Sequence, residues 1–199
     1  MPLIKLNNRS IKDVTSLPFG VGNLIHIQSQ TASNSASISF TTGINSTYKE
    51  YQFYFINIKP ATNNAKLTFN LSTDSGSNYN VTKTSTAFRP FHYESDTTDF
   101  GYNTSNDLAQ STAFQPLCEN QGNNSDDNMS GSMQLFNPAS TTYVKHFISC
   151  VNMSHDASYP ASVNWFVAGY GNTTSAINAI QFKMDTGNFD GTIAMFGVV

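Results

Sequence analysis

Residues Tyr48–Ile58 read "YKEYQFYFINI", an almost unbroken aromatic and aliphatic run closed by Pro60. In a strand, successive side chains point to opposite faces. That alternation puts Tyr51, Phe53 and Phe55 on one face and Tyr54, Ile56 and Ile58 on the other. A strand apolar on both faces belongs in the middle of a sheet. Proline has no N–H to give to a ladder, so Pro60 marks the end of the strand. The segment therefore predicts a central strand of a β-protein.

The rest of the chain follows the same period. "NLIHIQ" (Asn23–Gln28) and "SASISFT" (Ser35–Thr41) precede it. In "AKLTFNLSTD" (Ala65–Asp74), Leu67, Phe69 and Leu71 point inward, and Lys66, Thr68 and Asn70 point outward. Asp74–Asn78 has turn composition. "YNVTKTSTAFRPFHY" (Tyr79–Tyr93) alternates, with Pro90 marking an edge or a bend. Glu94–Ser111 is polar and predicts a long loop with a short helical turn at Asn106–Gln110. "STAFQPLC" (Ser111–Cys118) predicts a short strand, and the polar Glu119–Gly131 an exposed loop. "SMQLFNP", "TYVKHFISCVNM", "NWFVAGYG", "AINAIQFKMD" and "GTIAMFGVV" restore the period through to Val199. Nine to eleven strands with almost no helical periodicity predict an all-β chain, a jelly-roll-like antiparallel β-sandwich. The last strand is apolar on both faces and should also be central. We divide the chain into an extended N-terminal arm, residues 1–22, and one β-sandwich domain, residues 23–199.

Composition narrows the function. The 199 residues are 39% hydrophobic, 13% aromatic and only 12% charged, with net charge −3. That many aromatics at low charge argues for a packed core rather than disorder. Binding to nucleic-acid backbone needs a basic stripe, and none exists beyond Lys5, Arg9 and Lys12 in the arm, so no nucleic-acid partner is expected. No run is long enough to predict membrane insertion. The N-terminus lacks the apolar core of a signal peptide, so the sequons at Asn45, Asn70, Asn80, Asn152 and Asn172 carry little weight. Cys118 and Cys150 fit no metal or redox spacing, and Cys150, in an apolar run, reads as a buried free thiol.

Chemistry-bearing patterns are sparse. Asp126 and Asp127 could begin a calcium loop, but the spacing of a calcium-binding loop is missing and a solvated acidic turn explains them. His155-Asp156 reads as a turn. There is no nucleophile elbow or phosphate loop. Glycoside hydrolysis needs two carboxylates roughly 5–9.5 Å apart. Glu50 and Glu94 are the nearest approach to such a pair, so no catalytic residue, metal or cofactor is assigned. Aromatic rings stack on apolar sugar faces, which makes Tyr93, Tyr102, Tyr159, Trp165 and Tyr170 the candidates for glycan contact. For Trp165 and Tyr170 a core or interface role is the competing reading.

Three segments carry a resemblance. "LIKLNNRSIKDVTSLP" (Leu3–Pro18) holds a Leu-x-x-Leu-Asn-Asn-x-Ser-Ile phrase like one that opens small phage fibre-type proteins. "STDSGSNYNVTKTST" (Ser72–Thr86) and "FVAGYGNTTSAINAIQFKMDTGNFDGTIAMFGV" (Phe166–Val198) resemble small virion structural proteins of marine tailed phages. The resemblance implies a structural protein on the virion surface, assembled in the host cytoplasm, trimeric and without catalytic residues. The chain lacks a long repetitive shaft, which favours a head decoration protein or short fibre; a receptor- or glycan-binding adhesin is the alternative. Its partners would be other capsid or tail proteins, with a host-surface glycan as a further candidate. An apolar stretch with no core of its own marks an interaction site. We therefore expect Leu3, Ile4, Leu6 and Ile11, with Lys5, Arg9 and Lys12, to form the attachment or oligomer contact.

Overall fold

The computed structural model of the protein describes residues 24–156 and 158–199. The expected arm, with Leu3, Ile4, Lys5, Leu6, Arg9, Ile11 and Lys12, lies outside the described residues. Twelve strands account for the regular structure among them: β1 (Leu24–Ser35), β2 (Ile38–Phe40), β3 (Glu50–Pro60), β4 (Leu67–Ser72), β5 (Lys83–Tyr93), β6 (Thr98–Tyr102), β7 (Gln115–Pro116), β8 (Met129–Phe136), β9 (Lys145–Ser154), β10 (Ala161–Gly171), β11 (Ala179–Met184) and β12 (Phe189–Val198).

They form two antiparallel sheets, β1-β12-β3-β8-β9-β10-β5-β6 and β2-β11-β4-β7. Eight of the strands, β1-β12-β3-β8 facing β2-β11-β4-β7, reproduce the interleaved order of a jelly roll. The other four enter as two insertions. β5 and β6 lie between β4 and β7 in the chain, and β9 and β10 between β8 and β11. All four join the first sheet beyond β8, giving it a four-stranded extension.

Tyr48–Ile58 decides the fold as expected. β3 lies between β12 and β8, and Tyr51, Phe53 and Phe55 are buried against the second sheet. Phe182 of β11 is the hub: its ring centroid is 5.4 Å from Phe53, 5.4 Å from Phe55 and 6.3 Å from Phe40 and Phe69. Phe69 continues the chain to Phe147 of β9 at 5.0 Å. Edge-to-face pairs of this kind add to the area they bury.

The alternation fails at one place. Ile58 is buried, not outward, because the ladder to β8 shifts register between Phe55 and Ile58. Asn57 there has φ +52°. A bulge inserts one unpaired residue and re-aims everything after it. The extra residue belongs to β3 in the ladder to β12 too: β12 spans the same step with Gly191 alone, at φ +125°.

Other expectations change with burial. β4 is covered on both faces: Thr68 and Asn70 are buried with Leu67, Phe69 and Leu71. Their polar groups are satisfied, since Thr68 Oγ1 donates to Lys183 O and Asn70 Nδ2 to Tyr79 O and Thr112 O. The polar stretch Glu94–Ser111 contains a strand, β6, paired with β5, and no helical turn. Pro90 lies in an interior strand, and its missing N–H coincides with a gap in the β5–β10 ladder opposite Asn164 and Trp165. Glu119–Gly131 is not wholly exposed: Gln121 is buried, its Nε2 donating to Ile58 O. Both thiols are free, but Cys118 is the buried one, its pKa pushed up to about 12 by burial, while Cys150 is half-exposed.

Candidate functional site

The extension creates a place the jelly roll does not cover. β7 is two residues long and meets β5 at Ser85, whose Oγ donates to Gln115 Oε1 at 2.5 Å. Further along β5 and β10, toward Tyr93 and Ala161, no strand lies beneath among the described residues. Irregular residues, Glu119–Gly122 on one side and His155, Asp156, Ser158 and Tyr159 on the other, close over the sheet instead. They are joined to each other by the Gln121–His155 bridge and to the sheet by His155 N–H donating to Ala161 O. A cavity of about 250 Å³ remains between them and the strands.

Strand alternation supplies one wall. Arg89, Phe91 and Tyr93 share the inward face of β5, and Trp165 is the inward residue of β10 opposite Arg89. Phe91 and Tyr93 stack at 5.5 Å with their planes 19° apart. The Arg89 guanidinium lies 4.4 Å from the Phe91 ring centroid and 5.3 Å from that of Trp165. The loops supply the other wall, with His155 5.5 Å from Phe91 and Tyr159 6.3 Å from His155. Tyr159 is 64% exposed and stands at the mouth.

The polar groups of the cleft divide into two sets. Glu119 is spoken for: its Oε2 accepts from Asn103 Nδ2 at 2.7 Å and Asn106 Nδ2 at 3.0 Å, and its Oε1 lies 3.9 Å from Lys66 Nζ. Arg89 Nε and Trp165 Nε1 are buried with no acceptor among the described residues. His155 Nδ1 comes within 3.2 Å of Asp156 Oδ2, an electrostatic contact whose angle does not make a hydrogen bond. Leaving a buried donor unmade costs about 1–3 kcal/mol. Folded chains seldom leave several such groups around one hollow unless something completes them.

Of the five ring residues named from the sequence, this cleft gathers Tyr93, Tyr159 and Trp165. Tyr102 and Tyr170 lie elsewhere. Tyr102 is on β6, its hydroxyl donating to Asp107 Oδ2 at 2.6 Å, and Tyr170 faces outward on β10 beside His146. Arg89, Phe91 and His155 were not anticipated. The signal for Arg89 and Phe91 was "FRPFHY" (Phe88–Tyr93), in which a cation shares a strand face with two rings; no pattern marked His155. Two larger hollows, of about 420 and 590 Å³, lie on the outer side of the extension around Ile148 and Tyr170 and around Pro90 and Phe100. Neither is lined by a buried, unpartnered polar atom.

The remaining candidates do not assemble into chemistry. Glu50 starts β3 and Glu94 follows β5, four strand spacings away in the same sheet, or roughly 19 Å at 4.8 Å each. That is too far for a hydrolytic pair. Asp127 Oδ2 accepts from Asn124 N–H at 2.9 Å and closes the acidic turn that contains Asp126. Among the described residues no three His, Cys, Asp or Glu side chains converge as a metal site would need.

Comparison with protein-family models, with curated proteins and with solved structures finds no match to this chain.

Proposed function

We propose that the protein is a non-catalytic, saccharide-binding jelly-roll module carried on the exterior of a tailed-phage particle, as a decoration protein or short fibre. The observation that carries the binding half is the cleft. Three tyrosine and tryptophan side chains, a phenylalanine and an arginine surround a hollow, and two N–H groups of its lining residues, Arg89 Nε and Trp165 Nε1, are buried without acceptors among the described residues. Rings for the apolar faces of a sugar and fixed donors for its oxygens are what saccharide recognition requires. Glu119, the carboxylate lining the cleft, is held by two amides and a lysine, which suits a strut better than an acid catalyst.

The particle half rests on the sequence resemblance in Leu3–Pro18, Ser72–Thr86 and Phe166–Val198, with residues 1–22 as the anchor to other virion proteins. Assembly as a trimer belongs to the same proposal. One surface suits it: the outward positions of β9, β10 and β5 carry no Asp, Glu, Lys or Arg, Asp99 of β6 standing only at the edge, while Phe88, Phe100, Tyr102 and Ile148 are exposed there. Interface centres are poor in charge and rich in rings, and an uncharged face can meet its own copy without repulsion.

A glycan array probed with the full chain tests the binding half. Selective retention on a set of related saccharides, lost in Phe91→Ala and Tyr159→Ala, is expected. Absence of binding to every saccharide at high micromolar protein contradicts it.

A further inference from the structure

We infer that the saccharide taken by this cleft carries a carboxylate, as uronic and sialic acids do, and that Arg89 receives it. The inference rests on the saccharide reading above and adds the charge of the ligand. Charge pairing within the cleft is uneven. Glu119, the carboxylate lining the cavity, has Lys66 at 3.9 Å. Arg89 has no carboxylate within 4 Å among the described residues, although Glu119 lines the same hollow. Its guanidinium is held flat by rings on which it stacks, which fixes the direction of its N–H fork.

Its Nε is one of the two buried donors with nothing to donate to, and the other, Trp165 Nε1, sits on the neighbouring strand in a side chain only 1% exposed. An arginine fork matches the two oxygens of a carboxylate, and such charge-assisted bonds are about twice as strong as neutral ones. A neutral sugar would fill the hollow and stack on Tyr93 and Tyr159, but would leave the cation unanswered. The rings favour a sugar over a peptide carboxylate, because a pyranose presents a flat apolar face and an acidic side chain does not.

The test is calorimetric titration of the full chain with uronate- and sialate-containing oligosaccharides, each beside its methyl ester, with neutral oligosaccharides and a glutamate-rich peptide in parallel. The acid is expected to bind at least about tenfold more tightly than its ester, from the loss of a charge-assisted pair. Arg89→Met should erase that difference, and Arg89→Lys should restore part of it, since lysine keeps the charge and loses the fork. The acid–ester comparison needs no variant, so it stands even if Arg89→Met folds poorly. Equal affinity for acid and ester overturns the carboxylate inference and leaves the saccharide reading intact. Equal affinity for the peptide overturns the assignment to a sugar. No binding by any saccharide overturns both.

Discussion

Lys83 is fully buried, and its Nζ donates only to neutral acceptors, Asn70 Oδ1 at 2.5 Å and Val81 O at 2.8 Å. Burial brings its pKa down to about 7 from 10.5. The folded state therefore disfavours the proton that the unfolded chain keeps up to 10.5. Between about 7 and 10.5 the unfolded state binds more protons, so stability rises with pH across that window. Below about 7 the cost of the buried charge is felt in full. Lys145, on the other side of Gly171, is lowered in the same direction by burial. Urea midpoints at pH 6 and pH 9 should differ, the higher pH being the more stable. Lys83→Met is expected to raise stability at pH 6 by on the order of a few kcal/mol and to flatten the slope. A midpoint that falls from pH 6 to pH 9 would contradict this. At the cleft, Trp165→Phe keeps most of the buried ring and removes one N–H. It should weaken saccharide binding several-fold, the value of one neutral hydrogen bond, with the thermal midpoint nearly unchanged.

At the scale of elements, the β3 bulge and Gly191 of β12 opposite it hold the aromatic strand in register. A Cβ on Gly191 would lie 2.7 Å from Asn57 O and 2.9 Å from Ile58 Cα, at a φ of +125° that side chains rarely adopt. Gly191→Ala should cost about 2–4 kcal/mol, read as a shift in chemical denaturation midpoint. Asn57→Gly, which accepts the same φ, should stay within about 1 kcal/mol of the parent. The bulge also shows where pattern reading stops. Alternation placed Tyr51, Phe53 and Phe55 correctly because the pleat alone dictates them. It misplaced Ile58 because one asparagine in a left-handed conformation resets the count. Thr68 and Asn70 looked solvent-facing because their chemistry is polar, whereas Lys183 O of β11 accepts from Thr68 and loop carbonyls of Tyr79 and Thr112 accept from Asn70. β6 was hidden by its composition. Of the cleft, the rings Tyr93, Tyr159 and Trp165 were legible by type. Their meeting was not, because it depends on two loops closing over the sheet from Glu119 and His155.

For the whole molecule, the jelly roll is an eight-stranded frame, and the two insertions give it both an extra surface and the cleft beneath. The proposed trimer places subunit contacts on the uncharged outer face of the insertions. Ile148→Asp, 48% exposed in the single chain, should convert it to monomers by sedimentation velocity while circular dichroism stays unchanged. A parent protein that is monomeric at high micromolar concentration contradicts the trimer. Deleting residues 2–18 should leave a folded domain that no longer joins particles, and full occupancy of the truncated protein on virions would contradict the anchoring role.

The proposed saccharide site contains its own reporter. Trp165 is the single tryptophan and lies in the cleft wall with its indole N–H unpartnered. Titration of the full chain with acidic oligosaccharides, followed by tryptophan emission, should give a saturable change with a matching calorimetric midpoint. Binding detected by calorimetry with Trp165 emission unmoved would place the ligand elsewhere and contradict the account.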